Sequence, residues 1–215
     1  MRAAVFDLDG TLMDTRPGII GCVKYAMERF EGPCPDDAAL AGFIGQPLRV
    51  TFAALLGASD GDRIEEAVAC YRERYAQSGI YELKVYDGIR EMLERLKRSR
   101  RPLYVATSKP AVYAKRIVEH FGFGRCFSGV YGPELDGRFD DKAELLAHLL
   151  GAEKIGSEDA VMIGDRAVDV LSARSNGMRS IGILWGFGSR DELSDAGADT
   201  LCATPDELAL HLETL

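Results

Sequence analysis

Five short, continuously apolar runs recur along the chain with helical patterns between them. This alternation limits the fold more than any other feature. The runs are Ala3–Phe6, Pro102–Ala106, Phe127–Tyr131, Ala160–Ile163 and Ser180–Leu184. Such runs fit strands covered on both faces, as in a parallel sheet. Between them, Ile89, Met92, Leu93 and Leu96 space as one helix face, and Val112, Ile117, Val118 and Phe121 as a second. Leu145, Leu146, Leu149 and Leu150 form a third, and Val168, Leu171 and Ala173 a fourth. The alternation predicts an α/β fold with a doubly wound, Rossmann-like parallel sheet.

From about Asp14 to about Leu83 the alternation stops, and only helical patterns remain. Ile19, Val23, Met27 and Phe30 fall close to i, i+4, i+8 and i+11. Ser59-Asp60 is placed to cap a helix whose face is Ile64, Val68, Tyr71 and Tyr75. An inserted helical domain is therefore predicted over residues 15–83. Residues 1–14 and 84–215 make the α/β core. A helical lid over the carboxyl ends of parallel strands is a common way to close a site.

The chemistry-bearing residues sit where strands end. Asp7-Leu8-Asp9-Gly10-Thr11 follows the first run directly. Two carboxylates at i and i+2 repel unless a cation lies between them or one is protonated. Asp, Gly and Thr also favour plain turns, so this pair alone leaves both readings open. A second acidic group, Gly164-Asp165-Arg166-Ala167-Val168-Asp169, follows the fourth run. A helix cap accounts for one of its aspartates but not for both. Neighbouring parallel strands bring their carboxyl ends together, so the two clusters can meet around a hard cation. All-oxygen ligands with no histidine nearby favour Mg²⁺ over zinc.

Val105-Ala106-Thr107-Ser108-Lys109 closes the second run. A hydroxyl at a strand end, followed by open backbone N–H groups, suits phosphate oxygens. Lys142 opens a helical pattern, where the helix dipole disfavours a cation. Service to an anion would explain it, and a solvated charge is the alternative for this lysine taken alone.

DLDGT, then ATSK, then a helix-opening lysine, then GDRAVD, in that order along the chain, resembles the haloacid dehalogenase superfamily. The resemblance is to its phosphoglycolate-phosphatase-like group with a helical cap. It extends to the Ile44-Gly45-Gln46-Pro47-Leu48 loop and to Gly182-Ile183-Leu184-Trp185-Gly186-Phe187-Gly188-Ser189. It implies that Asp7 is a nucleophile forming an aspartyl phosphate and that Asp9 is the general acid and base. It also implies Mg²⁺ held by Asp7, the Asp9 carbonyl, Asp165 and Asp169. Thr107, the Ser108 backbone and Lys142 would bind the phosphoryl group, with Lys109 as the alternative lysine. An acid at Asp9 points to phosphate esters rather than halides. Mutases of the superfamily carry an arginine where this chain has Leu48, with Arg49 beside it, which lowers the mutase reading.

The implied substrate is a small phosphate monoester, with phosphoglycolate first. Nucleoside 5'-monophosphates, phosphotyrosine-like aryl phosphates and sugar phosphates are alternatives. A phosphate-sensing protein without turnover is the reading from another class. Arg16 and Arg49 are candidate specificity residues near the expected cap hinge and cap loop. Trp185 either lines the site or turns the chain.

Composition narrows the partners. With 26 Lys+Arg against 34 Asp+Glu, the net charge of -8 argues against a nucleic-acid backbone as partner. No apolar stretch is long enough for a membrane span. Five scattered cysteines without a CxxC pair suggest reduced thiols and a cytoplasmic setting. The basic run Arg95–Arg101 is expected to be a solvated face, and His148 to be structural. Oligomeric state leaves no mark in the sequence.

Overall fold

Ala3–Phe6 forms β1, and all four of its side chains are buried, as its unbroken apolar run requires. The computed structural model describes residues 2–30, 34–44, 48–57 and 61–215. The chain divides into two compact units, one of Met1–Asp14 with Val85–Leu215 and the other of Thr15–Lys84. It passes between them through two short paired strands, β2 (Met13–Asp14) and β3 (Lys84–Val85).

The larger unit adds β4 (Leu103–Ala106), β5 (Gly129–Tyr131), β6 (Ala160–Gly164), β7 (Arg179–Ile183) and β8 (Thr200–Cys202). Their order in the sheet is β5-β4-β1-β6-β7-β8, and every pairing is parallel. After β1 the chain builds outward through β4 and β5. It then returns to the other side of β1 for β6, β7 and β8. The loops after β1 and β6 thus flank a point where the winding reverses, the usual ligand crevice of such sheets.

The smaller unit holds α1 (Arg16–Arg29), α2 (Asp37–Ala41), α3 (Leu48–Leu56) and α4 (Gly61–Gln77). Its core joins Val23, Ala26 and Met27 of α1 to Phe52 of α3 and to Val68, Tyr71 and Tyr75 of α4. The expected Ser59-Asp60 cap and the Gly45-Gln46-Pro47 stretch of the cap loop lie outside the described residues.

The larger unit's helices are α5 (Ile89–Arg98), α6 (Ala111–His120), α7 (Lys142–Glu153), α8 (Ala167–Ser175), α9 (Arg190–Ala196) and α10 (Pro205–Thr214). Leu145, Leu146 and Leu149 of α7 pack with Val5, Ala106 and Met162 of the sheet. No described helix is long and apolar enough to cross a membrane.

Several expectations need correction. Val112 is 45% exposed, and Val168 and Leu171 are 47% and 49% exposed. In α8 the buried face is Val170, Ser172 and Ala173, because Asp169 itself turns inward. Phe127 and Ser128 precede β5 rather than belonging to it. The Phe127 ring meets Phe6 edge-on at 6.2 Å. The basic run is not simply a solvated face. Arg95 pairs with Glu213 and Asp206 of α10. Arg101 is buried and donates to the carbonyls of Arg2 and Leu212. Strand β8 and helices α9 and α10 extend the fold beyond the five expected runs.

Candidate functional site

Asp7 is the first residue beyond β1, and its N–H donates to the Ile163 carbonyl of β6 at 2.8 Å. The chain then turns sharply: Gly10 N donates to Met13 O at 2.8 Å and Leu12 N to Leu8 O at 3.0 Å. Gly10 has a φ of +81, and a Cβ there would stand 2.3 Å from Asp165 Oδ2. Only glycine meets both demands.

Asp7, Asp165 and Asp169 each offer a carboxylate oxygen, all within 4.8 Å of one another. Asp165 follows β6 and is fully buried. It accepts from Thr11 Oγ1 at 3.1 Å and from Phe187 N at 2.8 Å. Asp169, one turn into α8, accepts from Arg166 N at 3.0 Å and so caps its own helix. One helix turn from Asp165 to Asp169 is what lets a cap and a site residue be the same side chain.

Both motif lysines are present, each on a different acid. Lys142 is the first residue of α7, behind the cap residue Asp141, which accepts from Ala143 N and Glu144 N. Its side chain is 2% exposed, with Nζ 3.1 Å from Asp7 Oδ1 and paired also with Asp169 Oδ1. Both of those oxygens are buried, and Lys142 is the cation paired with each. Asp9 is turned to the other lysine, with Oδ2 3.0 Å from Lys109 Nζ. Its Oδ1 is buried without a hydrogen-bond partner among the described residues.

The electrostatics follow from burial. Loss of water pushes the Asp165 carboxyl up to about 7, and the Asp7 charge adds to this. The hydrogen bonds from Phe187 and Thr11 oppose it. Asp169 is raised to about 6 because burial outweighs the pull of Lys142. Asp9 is also held above the ordinary carboxylate range, burial outweighing Lys109. Burial alone would lower Lys142, but Asp169 and Asp7 together raise it. Four carboxylates against two ammonium groups leave two negative charges poorly solvated. A divalent cation with oxygen ligands fits that deficit, and Asp7 Oδ1 and Asp169 Oδ1 have lone pairs to give it.

Thr107 directly follows β4, which neighbours β1, and it is buried. Its Oγ1 accepts from Lys109 N at 3.3 Å, and its own N–H donates to Tyr131 O at 3.1 Å. Ser108 beside it is exposed. Arg16 and Arg49 belong to the helical unit and are exposed. The Arg49 guanidinium is engaged by Glu65 of α4, with Nη2 to Oε2 at 2.9 Å. The three histidines are placed elsewhere: His148 stacks on Phe139 at 4.3 Å, His120 meets Phe121, and His211 lies by Thr200.

The loop after β7 contributes more than the motifs foretold. A Cβ on Gly186 would stand 2.3 Å from Asp165 Cβ, and one on Gly188 would stand 1.8 Å from Asp165 O. Trp185 Nε1 donates to Thr11 O at 3.0 Å. This loop therefore walls in Asp165, and Trp185 braces the turn that carries Asp9. The signal was the pair of glycines spaced by one residue after a strand, which marks close backbone approach.

Comparison with known proteins gives a consistent picture. Residues 4–183 match the family model described as haloacid dehalogenase-like hydrolase. A 5'-nucleotidase of Pseudomonas aeruginosa is 47% identical over 210 residues, covering 98% of this chain and 95% of that one. The tyrosine-protein kinase PtkA of Mycobacterium tuberculosis is 34% identical over 209 residues, 96% of this chain and 71% of its own. A phosphoglycolate phosphatase of Xanthomonas campestris is 32% identical over 212 residues, 96% and 94% of the two chains. Among solved structures, a predicted phosphatase from Clostridium acetobutylicum has a TM-score of 0.87 at 39% identity, covering 100% and 99%.

Proposed function

This chain belongs to the haloacid dehalogenase-like hydrolases, and we propose that it cleaves a small phosphate monoester through a phosphorylated Asp7, with Mg²⁺ as its cation. It is a phosphoric monoester hydrolase. The observation that carries the mechanism is the meeting of Asp7 with Asp165, Asp169 and Lys142, while Asp9 stands apart on Lys109.

In the proposed sequence, an Asp7 oxygen attacks phosphorus and the bond to the leaving oxygen breaks. That oxygen takes the Asp9 proton. The Asp9 carboxylate then takes a proton from water, whose oxygen attacks the aspartyl phosphate. Inorganic phosphate leaves and Asp7 is restored. An Asp9 carboxyl raised by burial supports the acid role, because it keeps its proton closer to neutral pH. Thr107, the Ser108 N–H and Lys142 hold the phosphoryl oxygens. Asp7, Asp165 and Asp169 would hold the cation, with the Asp9 carbonyl. When bound, Mg²⁺ supplies charge neutralisation at the transferring phosphoryl group.

For the substrate we rank a nucleoside 5'-monophosphate ahead of phosphoglycolate, because the relative named for the former is the more similar. An aryl phosphate of the phosphotyrosine kind is the second choice. The helical residues 15–83 would act as the cap, with Arg16 and Arg49 selecting the leaving group. Five free cysteines fit a reducing, cytoplasmic setting. Phosphate release from a panel of nucleoside monophosphates, phosphoglycolate, aryl phosphates and sugar phosphates tests this. Highest kcat/KM on a nucleoside monophosphate is expected. Isomer formation without phosphate release would replace hydrolysis with mutase chemistry.

A further inference from the structure

Lys109 is held against an acid in the interior rather than open to solvent. Its side chain is 7% exposed and its Nζ lies 3.0 Å from Asp9 Oδ2. The Asp7 and Asp169 carboxylates already have their own buried ammonium group in Lys142. The Lys109 backbone is fixed from two sides. Its N–H donates to Thr107 Oγ1 at 3.3 Å, and Gly132 packs so tightly that a Cβ would stand 2.3 Å from the Lys109 carbonyl oxygen. Ala111 N closes the loop onto Pro133 O at 2.9 Å. The segment between β4 and α6 is thus clamped to the loop after β5. It delivers a cation to one oxygen of Asp9, and the other oxygen makes no hydrogen bond among the described residues.

We infer that Lys109 is a positioning residue for the acid–base step: by holding Oδ2 it fixes the Asp9 carboxyl so that Oδ1 carries the transferred proton. This rests on the reading of Asp9 as general acid. In that step the proton leaves Asp9 Oδ1 for the leaving oxygen as the phosphorus–oxygen bond breaks, and Lys109 itself neither gains nor loses one.

The test is the dependence of kcat/KM on the leaving group. A p-nitrophenolate leaves without a proton, whereas an alkoxide needs one. Lys109→Met should lose about 10- to 100-fold in kcat/KM on an alkyl phosphate but less than about 3-fold on p-nitrophenyl phosphate. Lys109→Arg should recover most of the alkyl activity. Lys109→Gln should show the same selectivity and serves if the Met variant does not fold. An equal loss on both esters, as a phosphate-binding or purely structural lysine would give, overturns the inference, as does no loss on either. Asp9→Asn separates the two claims. If it loses equally on both esters, the acid reading itself fails. If it is selective while the Lys109 variants are not, only the positioning role fails.

Discussion

Lys142 Nζ stands 3.1 Å from Asp7 Oδ1, deep enough that 2% of the lysine side chain reaches solvent. Because the same ammonium group also pairs with Asp169, one buried cation ties β1 to α8.

Replacing it should damage both turnover and stability. Lys142→Met leaves the acids without their shared counter-charge, and removing one partner of a buried pair costs about 3–5 kcal/mol. Loss of a positioned cation at a transferring phosphoryl group should lower kcat by about 10²- to 10³-fold. Denaturant midpoints and aryl phosphate turnover check the two parts. A variant as stable and active as the parent would contradict the assignment.

Gly186 is expected to control cation affinity without touching the cation. An alanine there would press on Asp165 Cβ, 2.3 Å away in the present geometry. Displacing a metal-ligand support typically costs 10- to 100-fold in affinity, so Gly186→Ala should raise the Mg²⁺ concentration for half-activity by about 10-fold. Gly151→Ala, where a Cβ meets nothing within 4 Å, is the control and should leave it unchanged. A shift of equal size in both variants would argue against a local cause.

Metal removal should make stability depend on pH in a definite direction. Asp165 and Asp169 sit near 7 and near 6, above the ordinary value of 3.8. The folded metal-free protein therefore binds more protons than the unfolded chain between about pH 4 and 7, so its stability falls as pH rises through that window. Bound Mg²⁺ would replace those protons. The rise in melting temperature on adding Mg²⁺ should therefore grow from pH 5 to pH 8. A gain that does not change with pH would speak against these carboxylates as the ligands.

Much of this site is legible in the sequence because its acidic motifs follow apolar runs that fit buried strands. Once Ala3–Phe6 and Ala160–Ile163 are strands of one parallel sheet, Asp7 and Asp165 fall at its carboxyl edge. Their adjacency depends on the strand order, which the structure supplies through the β1–β6 pairing. The partner of each lysine was not legible. Lys109 and Lys142 are long side chains from different loops, and only their folded reach shows that one serves Asp9 and the other Asp7 and Asp169. The misplaced face of α8 has a similar origin. Apolar spacing pointed to Val168 and Leu171, but the need to bury Asp169 at the site rotates the helix and leaves both exposed. Helices α9 and α10 carry readable signals, Ser189 capping Glu192 N and Thr204 capping Glu207 N. These S-x-x-E and T-x-x-E patterns mark helix starts even where the apolar period is short.

The most direct test of the central claim is to trap the phosphorylated residue. Enzyme turning over an aryl phosphate with Mg²⁺ would be quenched in acid, reduced with borohydride and digested for peptide mass spectrometry. Conversion of Asp7 to homoserine, absent without substrate and absent in Asp7→Asn, is the expected result. Turnover with no modified aspartate at position 7, or with the modification on another aspartate, would contradict it.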